Sequence, residues 1–104
     1  MRVSSALIKE VKYSAEFLND LEYAPNDVTK KFYKLEEIID TSNKFPNSLR
    51  PHVSGTTDDI YIGYLTRSGQ HWRILFEHDG QNPMSVVFLR LVTHKSMDLI
   101  LKDF

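Results

Sequence analysis

The 104-residue sequence contains no cysteine, and this absence removes several kinds of site. Disulfides, thiolate zinc centres and cysteine nucleophiles are excluded, so a hydrophobic core must hold the fold unaided. The sequence also lacks an apolar run near the roughly 20 residues that a membrane-spanning helix needs. Lys9 and Glu10 interrupt the first apolar stretch before it reaches the length of a signal-peptide core, so we expect a cytoplasmic protein without membrane contact.

An excess of positive charge is missing as well, because 13 lysines and arginines stand against 14 acidic residues. A protein that holds nucleic acid by bulk charge usually carries a clear positive excess. Any nucleic-acid role must therefore rest on a local basic cluster. Hydrophobic residues make up 41% of the sequence and charged residues 26%, which is typical of a globular protein. The length predicts one domain, residues 1–104, with one core and one site.

Hydrophobic periodicity predicts that the first part of the chain is mainly helical. Residues 6–11 fit a short strand, and Ser14 is a suitable N-cap for a helix that ends near Tyr23. The apolar face of this helix is predicted to comprise Phe17, Leu18 and Leu21. A second helix, capped by Asn26 or Asp27, is predicted to run to about residue 41. Its apolar stripe, at spacings of three and four, comprises Val28, Phe32, Leu35 and Ile39.

The second part of the chain predicts antiparallel strands. Residues 42–58 show no period and read as a long loop, which in a compact domain is often functional. Apolar and polar residues then alternate in three strand-like runs, 60–65, 72–77 and 86–91, and hairpin turns are predicted at 67–70 and 79–83. A short C-terminal helix with Ser96 as its cap is predicted at 96–102, and its inner face is predicted to comprise Met97, Ile100 and Leu101.

These elements together predict an α+β fold, in which a small, mainly antiparallel sheet packs on an N-terminal helical hairpin. The hairpin covers the sheet face that carries Trp72, Ile74 and Phe76. Arg73 then lies on the opposite face, with Leu75 and Glu77, because side chains alternate along a strand. We expect a functional site on that opposite face.

Several short motifs in this order carry a family resemblance. The loop segment 46–52 reads Pro-Asn-Ser-Leu-Arg-Pro-His, and 59–64 reads Asp-Ile-Tyr-Ile-Gly-Tyr. The strand 72–76 reads Trp-Arg-Ile-Leu-Phe, and Thr93-His94-Lys95 follows the last strand. Over about residues 6–97 the sequence resembles the RelE/ParE toxin superfamily, and it is most similar to the ribosome-dependent mRNA-interferase branch.

This resemblance implies a toxin of a type II toxin–antitoxin system with a proteinaceous antitoxin as its partner. It further implies that the ribosome and its mRNA are partners, and that the mRNA is cleaved through attack of the 2′-hydroxyl without a metal or another cofactor. Relatives of the ParE type instead poison DNA gyrase, and a homologue that has lost its activity can survive as an antitoxin-binding scaffold. The sequence leaves these two alternatives open.

The resemblance also implies site residues. Arg73 matches the arginine that contacts the scissile phosphate, and an ion pair with Glu77 is its structural alternative. His94 matches a catalytic histidine of the family, with Lys95 beside it as a source of positive charge. In the loop, His52 is the other candidate for proton transfer and Arg50 a candidate for RNA binding.

Three further polar residues complete the candidates. Arg90, in the last strand with Val86 and Phe88 predicted on its face, is expected either to bind RNA or to serve as an edge-strand charge. His71 and His78 are read as exposed residues at the two ends of the central strand. The four histidines show no metal-ligand spacing, so no metal site is predicted.

Overall fold

The computed structural model describes residues 8–54, 60–66, 69–79 and 84–104. Within these ranges, no helix combines the length and the apolar character needed to cross a membrane. Of the two predicted turns, residues 67 and 68 of the first and 80–83 of the second lie outside the described residues. The elements are β1 (Glu10–Tyr13), α1 (Ala15–Tyr23), α2 (Asn26–Ser42), β2 (His52–Val53), β3 (Tyr61–Tyr64), β4 (Trp72–His78), β5 (Ser85–Thr93) and α3 (His94–Leu101), with a 3-10 turn at Asn47–Leu49 before β2.

The described strands form one sheet in the order β1-β5-β4-β3-β2. β1 runs parallel to β5, and the other neighbouring pairs are antiparallel. This confirms the predicted α+β architecture with a mainly antiparallel sheet. The first strand was predicted at 6–11 and begins instead at Glu10, while residues 6 and 7 lie outside the described part of the chain.

Helix α1 begins where the sequence predicted. The Ser14 hydroxyl oxygen accepts a hydrogen bond from the Phe17 backbone N–H at 3.0 Å and donates one to the Leu89 carbonyl at 2.7 Å. The cap therefore also attaches the start of α1 to β5. Phe17 is fully buried, whereas Leu18 is 52% exposed, so the prediction that Leu18 joins the apolar face was wrong.

Helix α2 buries the predicted stripe of four apolar residues against the same sheet face. Its N-cap is Pro25 without a side-chain hydrogen bond, so the predicted cap at Asn26 or Asp27 was wrong. Proline presets a φ that suits a helix entrance and leaves Asn26 as the first helical residue. The Tyr13 hydroxyl of β1 donates to Glu36 of α2. Burial of the phenol, followed by this carboxylate, raises the pKa of Tyr13.

An irregularity in β5 changes which residues face the core. Phe76 pairs with Phe88, but the preceding Leu75 pairs with Arg90, so Leu89 is an extra residue. As a result, Leu91 rather than Arg90 follows Phe88 into the core beneath α1 and α2. The strict alternation that placed Arg90 on the face of Phe88 was therefore wrong.

The opposite sheet face is covered in part by α3. Leu75 packs there in a second apolar cluster with Leu101, and Met97 and Ile100 join it, as predicted. The helix begins two residues earlier than expected because Thr93, rather than Ser96, is its N-cap. The Thr93 hydroxyl oxygen accepts from the Ser96 backbone N–H at 3.2 Å. This face is thus closed at one end by α3.

Candidate functional site

A pocket of about 560 Å³ lies beside the ends of β2, β3 and β4. Its described lining is basic and aromatic and comprises Arg50, His52, Tyr64, His71 and Arg73. Three of these residues were predicted from the sequence, and the structure brings them together from separate elements. Two guanidinium groups and two imidazoles in one concave site suit an anionic ligand such as a phosphate.

Arg73 is fixed at the base of this pocket. It is buried, with 8% exposure, and it lies opposite Tyr64 in the β3–β4 pairing. Its guanidinium carbon lies 4.2 Å from the centroid of the Tyr64 ring, a cation–π contact. Nη1 donates to the Thr66 carbonyl at 3.2 Å. These contacts orient the guanidinium from β3 and the turn after it, rather than from Glu77.

His52 approaches Tyr64 from the other neighbouring strand. Its ring stacks on the Tyr64 ring with centroids 5.3 Å apart and planes 26° from parallel. Its Nδ1 lies 3.2 Å from the Arg50 carbonyl oxygen. Since β3 lies between β2 and β4, Tyr64 is placed between His52 and Arg73 and aligns the two groups.

The loop that carries Arg50 is anchored by its neighbour Leu49. Leu49 is 2% exposed and lies directly over Gly63 of β3. A Cβ atom at position 63 would lie 2.8 Å from the Leu49 Cγ, so only glycine allows this approach. Arg50 follows with a left-handed φ of 48°, which ends the 3-10 turn. The Leu49 anchor thus holds Arg50 and His52 at the pocket.

His94 and Lys95 begin helix α3 and are exposed. Their side chains are outside the described lining of the pocket. The backbone N–H of His94 nevertheless donates to the His71 carbonyl at 3.0 Å, so α3 begins directly beside the pocket. The structure therefore connects His94 to the site through its backbone.

Arg90 lies at a different surface, beside α1. Its Nε donates to Asp20 Oδ2 at 2.7 Å and its Nη2 to Asp20 Oδ1 at 3.1 Å. The same Oδ2 accepts from the Leu91 backbone N–H at 2.9 Å. These hydrogen bonds to Asp20 raise the pKa of Arg90. The pair fastens α1 to β5 beside the irregularity, and Arg90 lies in a small cleft separate from the Arg73 pocket.

Asp20→Asn is expected to lower the free energy of unfolding by about 1–3 kcal/mol, because the two charge-assisted hydrogen bonds to Arg90 lose their anionic acceptor. Chemical denaturation followed by circular dichroism measures this change. Glu22→Gln is the matched control, since it removes an exposed carboxylate from the same helix outside the cleft that holds Arg90. Equal stabilities for the two variants would show that the Asp20–Arg90 pair does not fasten α1 to the sheet.

Two residues of the pocket were not among the predicted site residues. Tyr64 was recognisable only through the β3–β4 register, which places it opposite Arg73. His71 was read as an exposed strand end, and it is exposed, yet it lines the pocket. Among the residues that the structure describes, no group of histidine and carboxylate side chains is arranged to hold a metal ion.

Known proteins resemble this chain in fold and not in sequence. No protein-family model matches it, and curated proteins give no significant sequence match. Its fold is similar to a RelB-RelE antitoxin-toxin complex from Methanococcus jannaschii, with a TM-score of 0.64 and 22% identity over 84% of this chain and 94% of the other.

Two further solved structures show the same likeness. The archaeal RelE-RelB complex from Pyrococcus horikoshii OT3 gives a TM-score of 0.60 at 16% identity, covering 84% of this chain and 96% of the other. The YoeB dimer from Staphylococcus aureus gives 0.59 at 15% identity, covering 86% and 99%. All three matches extend over nearly the full length of the compared chains. The protein therefore has a RelE-like fold.

Proposed function

We propose that this protein is the toxin of a toxin–antitoxin pair and that it cleaves ribosome-bound mRNA without a metal ion. The observation that carries the proposal is the Arg73 pocket, in which a fixed guanidinium shares a concave site with two imidazoles. The fold supports the toxin role, because solved structures with this fold include complexes described as antitoxin-toxin. The net charge of the chain is not positive, so a nucleic-acid role requires a local basic cluster, and this pocket is such a cluster.

The pocket residues supply what metal-free RNA cleavage needs. The 2′-oxygen attacks the adjacent phosphorus while one imidazole accepts the 2′-hydroxyl proton. The bond from phosphorus to the 5′-oxygen breaks, and a second imidazole donates a proton to that leaving oxygen. Arg73 donates hydrogen bonds to the nonbridging oxygens, where negative charge develops. The products are a 2′,3′-cyclic phosphate and a 5′-hydroxyl, and no water is consumed.

An antitoxin partner is part of the proposal. Several large apolar side chains are exposed on the described surface, among them Leu18, Tyr23, Tyr33, Leu99 and Phe104. Tyr23 is 78% exposed and Leu99 68%, although each lies on an amphipathic helix whose inner face is packed. These exposed side chains are the apolar groups that an antitoxin would cover.

Incubation of the protein with purified ribosomes and a defined mRNA tests the function. We expect discrete mRNA fragments that end in a 2′,3′-cyclic phosphate, the product that attack of the 2′-oxygen gives and hydrolysis by water does not. Arg73→Ala is the control and should leave the message intact. If the wild-type protein and Arg73→Ala give the same uncut message, the endoribonuclease proposal is wrong. Inhibition of DNA gyrase supercoiling by the wild-type protein would then favour the ParE-like alternative.

A further inference from the structure

Two residues of the Arg73 pocket have left-handed backbone. Among the described residues other than glycine, positive φ angles occur at Asn43, Arg50 and His71. Asn43 is the C-cap of α2, where a left-handed residue is ordinary. Arg50 ends the 3-10 turn in the same way, and it lines the pocket together with His71, which is not a helix cap. Left-handed backbone is unfavourable for residues with a side chain and persists only where the surrounding structure fixes it.

The backbone around His71 is held on both sides. Its carbonyl oxygen accepts the His94 backbone N–H at 3.0 Å, at the start of α3. The next N–H, from Trp72, donates to the Thr66 hydroxyl at 3.0 Å, and the Trp72 carbonyl accepts from Leu65 at 3.1 Å. Two separate elements therefore enforce the φ of 53° at His71. A glycine would adopt this backbone without strain, yet the position carries a histidine that lines the pocket.

We propose that His71 is a catalytic residue and works with His52 as the pair of proton-exchanging imidazoles at the phosphate held by Arg73. This proposal rests on the proposed endoribonuclease function and deepens it. His52 belongs to β2 and His71 lies directly before β4, with β3 between the two strands. Strands two apart in a sheet are separated by roughly 9–10 Å, and the strand register offsets His71 from His52 by four residues along the sheet. The His52 ring leans along this direction, because it stacks on Tyr64, and both histidines line the same pocket. The two imidazoles can therefore reach a phosphate between them from different sides.

Such an arrangement fits the displacement at phosphorus. The attacking 2′-oxygen and the leaving 5′-oxygen lie roughly in line on opposite sides of the phosphorus atom. One imidazole takes the 2′ proton, and the other gives a proton to the 5′-oxygen as its bond to phosphorus breaks. After one turnover the first imidazole is protonated and the second is neutral. Proton exchange with water restores both.

His71→Gly separates the catalytic role of the imidazole from its structural cost. We expect this variant to melt at the same temperature as the wild type or higher, because glycine relieves the left-handed strain. We expect its cleavage rate to fall about 100-fold or more, because general acid–base catalysis by one positioned side chain contributes roughly 10²–10⁴-fold. Asn43→Gly is the matched control, since it relaxes a left-handed residue at the far end of α2 and should cleave at the wild-type rate.

His71→Asn is a second, independent test of the catalytic role of the His71 imidazole. Asparagine tolerates the left-handed backbone and keeps a hydrogen-bonding side chain, but it cannot exchange a proton near neutral pH. We expect the same loss of rate as for His71→Gly. Cleavage by His71→Asn or His71→Gly within threefold of wild type, in an assay where Arg73→Ala is inactive, would overturn the role of His71 and leave the endoribonuclease function standing. An uncut message with the wild-type protein would remove both proposals.

Discussion

Arg73→Lys is expected to lower the rate of mRNA cleavage about 100- to 1,000-fold, even though the positive charge is kept. The loss follows from geometry. A guanidinium is a planar fork that can donate two hydrogen bonds to a phosphate, whereas an ammonium group is a compact point charge. In this protein the fork is also oriented before substrate binds, by the Tyr64 ring at 4.2 Å and the Thr66 carbonyl at 3.2 Å. Lysine keeps neither the planar stacking nor the fork.

Single-turnover cleavage with saturating enzyme measures this effect, and thermal melting of each variant shows whether the fold survives. Lys30→Ala is the charge control, because it removes an exposed positive charge from α2, away from the pocket. We expect it to cleave at the wild-type rate. A loss with Lys30→Ala as large as that with Arg73→Lys would mean that overall charge, and not the oriented guanidinium, governs the reaction.

The parts of the fold that the sequence predicted correctly depend on local patterns. The cap at Ser14 needs only a hydroxyl before a helix, and the α2 stripe needs only spacings of three and four. Alternation in β4 placed Ile74 and Phe76 in one core and Leu75 in the other, as found. Even Arg73 was recognisable, because a charge in the middle of an alternating strand must face a special environment.

The errors arose where one residue changes the phase of a pattern. The alternation of apolar and polar residues gives no sign of the extra residue Leu89 in β5. This residue nevertheless moves Arg90 off the sheet face that carries Phe88 and puts Leu91 on that face. The ion-pair partner of Arg90 could not be predicted from the sequence either, since Asp20 is 70 residues away. Similarly, a helix cap at Thr93 and one at Ser96 both satisfy the local preference, and the end of β5 decides between them.

The pocket was predictable only in part, for a related reason. Arg50, His52 and Arg73 stand out as basic residues, but Tyr64 and His71 join them through the β3–β4 pairing and the turn that connects these strands. The turn places His71 with a positive φ, and nothing in the neighbouring residues requires a left-handed histidine. That geometry comes from two distant contacts, in which the His94 N–H at the start of α3 donates to the His71 carbonyl and the Trp72 N–H donates to the Thr66 hydroxyl.

Phe88→Ala is expected to be the most destabilising of these substitutions, with a loss of about 3–5 kcal/mol from the free energy of unfolding. The residue is fully buried at the centre of the larger core. Its ring lies within 5.5 to 6.4 Å, between centroids, of five other aromatic rings, those of Tyr13, Phe17, Phe32, Phe45 and Phe76. These rings come from β1, α1, α2, the segment after α2 and β4, so alanine leaves a cavity that no single element can close.

The size of this loss matters because domains of this length are only marginally stable, at about 5–15 kcal/mol. A decrease of roughly 12–40 °C in melting temperature follows from about 4–8 °C per kcal/mol in small domains. Thermal melting followed by circular dichroism measures it, with Tyr23→Ala as the control. Tyr23 is 78% exposed on α1, so its removal should change stability by about 0.5 kcal/mol or less. If both variants melt within a few degrees of wild type, Phe88 does not join the helices to the sheet, and the core is packed in some other way.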